Sequence, residues 1–171
     1  MKKKIYIIDT SAILSGKPIA ICDASFITVP GVSDEFRPGG KDFQTFELLK
    51  ETGLTIHIPS KESMDSVKKT AQKTGDDRRL SQADMEIVAL AMDINKTQNQ
   101  EAILLSDDYS IQNVASTLNI KFQGLLQKGI TKKFKWASRC PGCGKQFNEM
   151  KKICPICGTT TKSSLIHKKD L

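Results

Sequence analysis

The 171-residue chain is 39% hydrophobic and 26% charged, enough for one ordinary core of roughly 100 to 150 residues with a small appendage, which excludes a disordered chain. Its 26 Lys and Arg against 19 Asp and Glu give a net charge of +7 and a pI near 9.2, which favours a polyanionic partner. No apolar run approaches the roughly 20 residues that a membrane span needs, and Lys2, Lys3 and Lys4 precede only IYII before Asp9. Neither a span nor a signal-peptide core is expected, no membrane partner is foreseen, and the expected location is cytoplasmic.

In chain order, KIYIID reads as an apolar strand ending at Asp9, AILSGK as a helix start, and SFITVP as a short strand closed by Pro30 and Gly31. Cys22, alone in PIAICDAS, reads as a small buried hydrophobe and not as a metal ligand. Pro38, Gly39 and Gly40 mark a turn or mobile loop. DFQTFELLKETG then sets Phe43, Phe46, Leu49 and Leu54 near helical spacing, with Gly53 as C-cap. LTIHIPS alternates as a strand. KESMDSVKKTAQKTGDD is helical but weakly apolar, which predicts a surface helix. SQADMEIVALAMDIN predicts a helix capped by Ser81 that buries Met85, Val88, Ala89 and Met92. AILLSDD is a strand, YSIQNVASTLN a helix and IKFQGL a last strand. Such alternation implies an α/β domain with a mostly parallel sheet covered on both faces.

After Leu126 the composition changes. Four of the five cysteines form two C-x-x-C pairs, Cys140 with Cys143 and Cys154 with Cys157, separated by ten residues. Two such turns complete a tetrahedral four-sulfur site, the arrangement of structural zinc, and paired disulfides are disfavoured in a reducing compartment. Residues 128–152 carry Lys128, Lys132, Lys133, Lys135, Arg139, Lys145, Lys151 and Lys152 against the single acid Glu149. In KKFKWAS, Phe134 and Trp136 share one face of a strand and Lys133 and Lys135 the other. Two readings of this stretch stand together. It is the first strand of a ribbon, and Lys132, Lys133, Lys135, Trp136 and Arg139 form a surface on which phosphates pair and bases stack. The expected division is residues 1–126, a basic linker 127–135, a ribbon 136–162 and a basic tail 163–171.

Acids stand at the ends of the expected strands. Asp9 ends the first and Asp107 a later one; in an open parallel sheet both then face the cleft at the topological switch point. Glu35 falls in the loop after SFITVP or at the start of the next helix, and Asp84 in the first turn of the helix opened by Ser81. Each has a plainer reading. Asp9 and Asp108 are natural helix caps, and Asp84 suits a helix N-terminus. Clustered, such acids repel one another unless a hard cation such as Mg²⁺ or Mn²⁺ neutralises them. Asp107 is the preferred ligand and Asp108 the preferred cap; Thr10 and Ser11 either position a group in the cleft or cap, while His57 and His167 read as structural or solvent-facing.

YIIDTSA, ITVPGVSDEF, LSQADMEIVALA and LLSDDYSIQNVA together resemble the motifs of PIN-domain nucleases. With a C-terminal four-cysteine ribbon, the chain resembles the archaeal Nob endoribonucleases of small-subunit ribosome maturation over nearly its whole length. The resemblance implies a PIN-like three-layer α/β/α domain followed by a small zinc ribbon. It implies a metal-dependent RNase, with Asp9, Glu35, Asp84, Asp107 and the adjacent Asp108 as its acids, that cuts precursor rRNA near the 3′ end of the small-subunit RNA. Structural Zn, catalytic Mn or Mg, the small ribosomal subunit and assembly factors are the implied cofactors and partners. The competing expectation is a non-catalytic RNA-binding assembly factor, which the complete acidic set disfavours.

Overall fold

The computed structural model describes residues 2–15, 25–125 and 132–170; Cys22 lies outside them. The strands β1 (Lys3–Ile8), β2 (Ser25–Thr28), β3 (Thr55–Ile56), β4 (Gln100–Leu105) and β5 (Lys121–Gln123) form one sheet in the order β3-β2-β1-β4-β5, and every pairing in it is parallel. The continuous apolar runs occupy the middle of this sheet, as strands covered on both faces must. Ile5 to Ile8 of β1 and Ala102 to Leu105 of β4 are all buried. LTIHIPS contributes much less strand than its alternation predicts. Only Thr55 and Ile56 pair, at the sheet edge, and Ile58 is 82% exposed, so no second face exists to reward the rest.

Among the described residues, six helices connect the strands: α1 (Thr10–Leu14), α2 (Pro30–Glu35), α3 (Lys41–Glu51), α4 (Lys61–Thr74), α5 (Gln82–Lys96) and α6 (Tyr109–Thr117). From β1 the chain steps outward to β2 and β3, then returns to the other side of β1 for β4 and β5. Right-handed crossovers therefore put the helices of the two halves on opposite faces, giving the three-layer α/β/α arrangement.

Three helices depart from expectation. VPGVSDE forms a separate short helix, α2, with Pro30 in its first turn, where a missing N–H costs nothing. Helix α4 is amphipathic and not wholly superficial: Met64, Val67 and Ala71 recur at helical spacing and are buried. On α5, Val88 and Ala89 are buried as expected, but Met85 and Met92 pack only at the core's margin. Ala83, Ile87, Leu90, Ala91 and Ile94 complete the buried face, because α5 touches β1, β4 and three other helices.

The C-terminal part is a two-stranded antiparallel hairpin, β6 (Lys132–Arg139) and β7 (Lys162–Asp170), carrying two cysteine turns between its strands. Its strands run past the expected ribbon on both sides, taking in residues 132–135 and 163–170. Ile166 is a bulge residue between the pairs Lys135↔His167 and Trp136↔Leu165. Phe134 and Trp136 do lie together, with ring centroids 6.4 Å apart.

This hairpin is locked to the larger domain. Asn113 of α6 accepts from the Phe134 amide (2.7 Å) and donates to the Phe134 carbonyl (2.8 Å) and to the buried Asp76 carboxylate (2.6 Å). Burial pushes the Asp76 carboxyl above its ordinary value, opposed by hydrogen bonds from Thr74 and Asn113. Gly75, with φ +80°, closes α4 against the Trp136 backbone, where a Cβ would lie 2.2 Å from the carbonyl oxygen. The Arg79 guanidinium covers the Trp136 ring at 3.6 Å.

Candidate active site and metal centre

The ladder between β1 and β4 ends at Ile8↔Leu105, so the next residues out are Asp9 and Ser106. The residue opposite Asp9 is thus Ser106, one position before Asp107. Asp9 is 5% exposed, and both of its carboxylate oxygens are engaged, with one lone pair of Oδ1 left over. Oδ1 accepts from the Thr10 amide at 2.7 Å, and Oδ2 from the hydroxyls of Ser11 and Ser106, each at 2.7 Å. The same hydroxyls accept the amides of Asp107 (3.3 Å) and Asp108 (3.1 Å). Two serines therefore bind the motif after β1 to the motif after β4 across the switch point. Burial raises the Asp9 carboxyl above its ordinary value. The two hydroxyls and the Thr10 amide oppose this, and the nearby Asp84 charge adds to it. Asp9 caps α1 as well, so its cap and cleft positions coincide.

The other acids surround this point with separate commitments. Glu35 ends α2, is exposed, and accepts from the Thr10 hydroxyl at 2.6 Å. Asp84 forms a capping box with Ser81, accepting its amide at 2.6 Å while the Ser81 hydroxyl accepts from the Asp84 amide at 3.1 Å. Asp107 accepts from the Leu125 amide at 2.9 Å. Asp108 caps α6 through the amides of Ser110 (2.6 Å) and Ile111 (3.3 Å), the geometry expected for the second aspartate of the pair. A cleft of about 450 Å³ opens beside Thr10 and Glu35 and is also lined by Arg37 and Asp42.

The carboxylates do not converge into a direct cage. Among the described residues, the only group of three or more His, Cys, Asp or Glu with mutually close ligand atoms is the cysteine set. Asp9, Asp84 and Asp108 are each committed to a helix cap. This donor set still suits Mg²⁺ or Mn²⁺. Mg²⁺ keeps several waters and takes only one or two carboxylates directly, so spaced oxygens around a desolvated Asp9 are compatible with it.

Two residues missed at the sequence level hold α2 in place. Gly31 packs so closely on α5 that a Cβ would lie 2.8 Å from the Ala83 Cβ, and its amide donates to Glu86 at 3.0 Å. Phe36, stacked on Phe46 at 4.8 Å, anchors the chain just beyond Glu35. Gly31→Ala is expected to cost about 1–3 kcal/mol through overpacking and to shift Glu35. Its signature is impaired RNA cleavage at a temperature where the variant is still fully folded by circular dichroism; unchanged melting and cleavage would show that α2 gives way freely. A Gly after Pro at a helix start was the available signal. Ser106 and Asn113 carried none until the strand register and the hairpin position were known. His57 pairs with Thr55 at 2.9 Å away from the acids, and His167 lies on β7 opposite Lys135.

In the hairpin, Cys140 and Cys154 are buried and Cys143 and Cys157 exposed, with all four sulfurs within 4.8 Å of one another. The two turns are matched in detail. The Gly144 amide donates to the Cys140 carbonyl at 3.0 Å, and the Gly158 amide to the Cys154 carbonyl at 2.9 Å; these glycines have φ +74° and +72°. Hydrogen bonds with the Thr159 side chain and backbone hold the Cys157 thiol down to about 6. Cys143, despite the Lys145 amide that favours its thiolate, is pushed up to about 11 by partial desolvation beside the neighbouring sulfurs of Cys140, Cys154 and Cys157. Four thiols so close cannot all ionise without a cation among them, which is the chemistry of a tetrathiolate zinc site.

Residues 6–94 match the family described as "PIN domain of ribonuclease". The chain is 38% identical over 156 residues to "Endoribonuclease Nob1" of Archaeoglobus fulgidus, covering 91% of this chain and 88% of that one. The chain belongs to the Nob1-type PIN-domain endoribonucleases. Nob1 of Pyrococcus abyssi is 37% identical, with 91% of each chain covered. "Ribonuclease VapC1" of Thermoplasma acidophilum is 36% identical over 98% of this chain and 81% of its own. As an endoribonuclease of this family the protein acts on RNA, and PIN nucleases use divalent metals. No helix among the described residues is long and apolar enough to cross a membrane.

Proposed function

We propose that this endoribonuclease cleaves precursor rRNA near the 3′ end of the small-subunit rRNA during cytoplasmic ribosome maturation, using Mn²⁺ or Mg²⁺ at the switch point. The observation that carries the reading is the buried Asp9, tied by Ser11 and Ser106 to both strand-end motifs, beside a cleft that also holds Glu35. Asp9, Glu35, Asp84 and Asp107 would hold the ion, some of them through water, and Asp108 fixes the α6 N-terminus that presents Asp107. When bound, the ion supplies Lewis-acid stabilisation of the charge that develops on the phosphodiester. Thr10 orients Glu35 by its hydroxyl, and Arg37 on the cleft wall offsets phosphate charge.

The ribbon is proposed to bind one Zn²⁺ through Cys140, Cys143, Cys154 and Cys157. Lys132, Lys133, Lys135 and Arg139 are proposed to contact RNA and to dock the enzyme on the pre-ribosomal small subunit alongside assembly factors. Trp136 has a different part. With one ring face under Arg79, it serves the contact between ribbon and nuclease domain and not an open stacking platform.

The deciding experiment incubates the purified protein with a precursor rRNA fragment and Mn²⁺ and maps the new ends. A cut near the mature 3′ end, lost with chelator, is expected. Asp107→Asn should lower cleavage far more than Asp108→Asn, because asparagine caps a helix about as well as aspartate. Equal losses would reverse the roles given to this pair, and uncut RNA would remove the nuclease reading of the site.

A further inference from the structure

A second cleft, of about 690 Å³, lies between α4 and the ribbon and is lined by Lys69, Lys73, Asp77, Lys135, Asn148 and Glu149, among others. Lys69 and Lys73 are four residues apart on a single face of α4, about 6 Å along its axis, a step on the scale of successive phosphates in an extended strand. Lys135 adds a third cation from β6. None of the three lysines is in an ion pair among the described residues. Asp77 stands apart from them: its Oδ1 is buried and has no hydrogen-bond partner among the described residues. Asp77 lines the cleft, and a turn of its carboxyl group would bring this unmet oxygen from its closed position to a donor carried by a ligand.

The cleft is linked to the acidic centre. Asp76, next to Asp77, is held by Asn113, which follows the α6 cap Asp108 by five residues, about 8 Å along the helix. The nuclease domain forms one wall and the ribbon the other. Glu149 keeps the lining from being uniformly basic, so carboxylates repel phosphate toward the lysines and leave base edges to Asp77.

We propose that this cleft binds a single-stranded RNA segment flanking the scissile bond, with Lys69, Lys73 and Lys135 taking phosphates and Asp77 accepting from a base that carries an exocyclic amino group. The proposal rests on the RNA-directed reading above and adds a subsite and a base preference to it. Carboxylates read cytosine through its N4 amino group, and uracil presents a carbonyl in that place.

The test is fluorescence anisotropy of the zinc-loaded full chain with short labelled oligo(C) and oligo(U), repeated over a range of salt concentrations. Wild type is expected to prefer oligo(C) by about tenfold. Asp77→Asn should reduce that preference to about twofold or less, mainly by binding oligo(U) better once the repelling charge is gone. Replacing Lys69, Lys73 and Lys135 together by Gln should weaken both complexes more than about tenfold and flatten the log–log salt slope by about 2. Unchanged affinity and slope in the triple variant, with RNA still cut by wild type, would overturn the groove alone. An unchanged preference in a folded Asp77→Asn protein, or in Asp77→Ser should the first melt early, would overturn the role of Asp77. A wild-type protein that binds neither oligomer nor precursor rRNA would overturn the underlying RNA-directed reading as well.

Discussion

Asp9→Asn is expected to remain folded and to lose more than about a hundredfold of its Mn²⁺-dependent RNA cleavage, since removing even a residue that only supports a metal ligand costs that order of activity. The geometry explains why folding survives. The asparagine Oδ1 still accepts the Thr10 amide, and the Ser11 and Ser106 hydroxyls, which each have a spare lone pair, can turn to accept from the new NH₂. The metal-free melt supplies an independent readout. Because burial raises the folded Asp9 carboxyl, its ionisation destabilises the fold. That penalty is absent below the ordinary carboxylate range, grows as pH rises, and is complete above the raised folded value. Asp9→Asn should therefore melt no lower than wild type at neutral pH and show a weaker decline as pH rises. RNA affinity should hold or improve, because a negative charge has left the cleft. Wild-type cleavage by a folded Asp9→Asn protein would remove the metal-site mechanism.

The second large effect is expected in the ribbon. Cys154→Ser should abolish stoichiometric zinc binding, measured by elemental analysis, and unfold the hairpin, because a module this small has no core that holds it together without the metal. The damage should spread. Asn113 hydrogen-bonds the Phe134 backbone and Arg79 lies over Trp136, so hairpin loss strips partners from buried groups of the nuclease domain. One such unmet group costs about 1–3 kcal/mol, enough to lower the melting temperature of the larger domain by several degrees. Chelation of wild type should reproduce the shift. A variant that keeps its zinc, or a nuclease domain that melts as before, would show respectively that the sulfurs are not the ligands or that the contact between the modules is energetically idle.

These expectations depend on features of unequal legibility in the chain. The cysteine turns were readable at once, because metal chemistry fixes both residue type and spacing, and the matched glycines at 144 and 158 follow from the tight turns. The central strands were readable too, since KIYII and AILL are long enough apolar runs to have only one use. Weakly patterned segments were not. The buried apolar stripe of α4 is three residues in a helix dominated by polar side chains, and its packing depends on what α5 and α6 present to it. LTIHIPS has strand periodicity, but only its place at the sheet edge decides how much of it pairs.

At the candidate site the division is sharper still. The sequence by itself determined the inventory: an acid after each central strand, an acid at the start of a long helix, another after Pro30, and four thiols in two turns. Only the tertiary structure decided the arrangement. It set Ser106 and not Asp107 opposite Asp9, made Asn113 the tie to the hairpin, turned Trp136 under Arg79, and left Asp77 unmatched in a groove between the two modules. The physical reason is range. Ligand spacing, caps and apolar runs are properties of a few consecutive residues, whereas register between β1 and β4 joins positions 97 residues apart, such as Ser106 and Asp9. The contact of a ribbon with a helix face likewise depends on surfaces that exist only once both have folded.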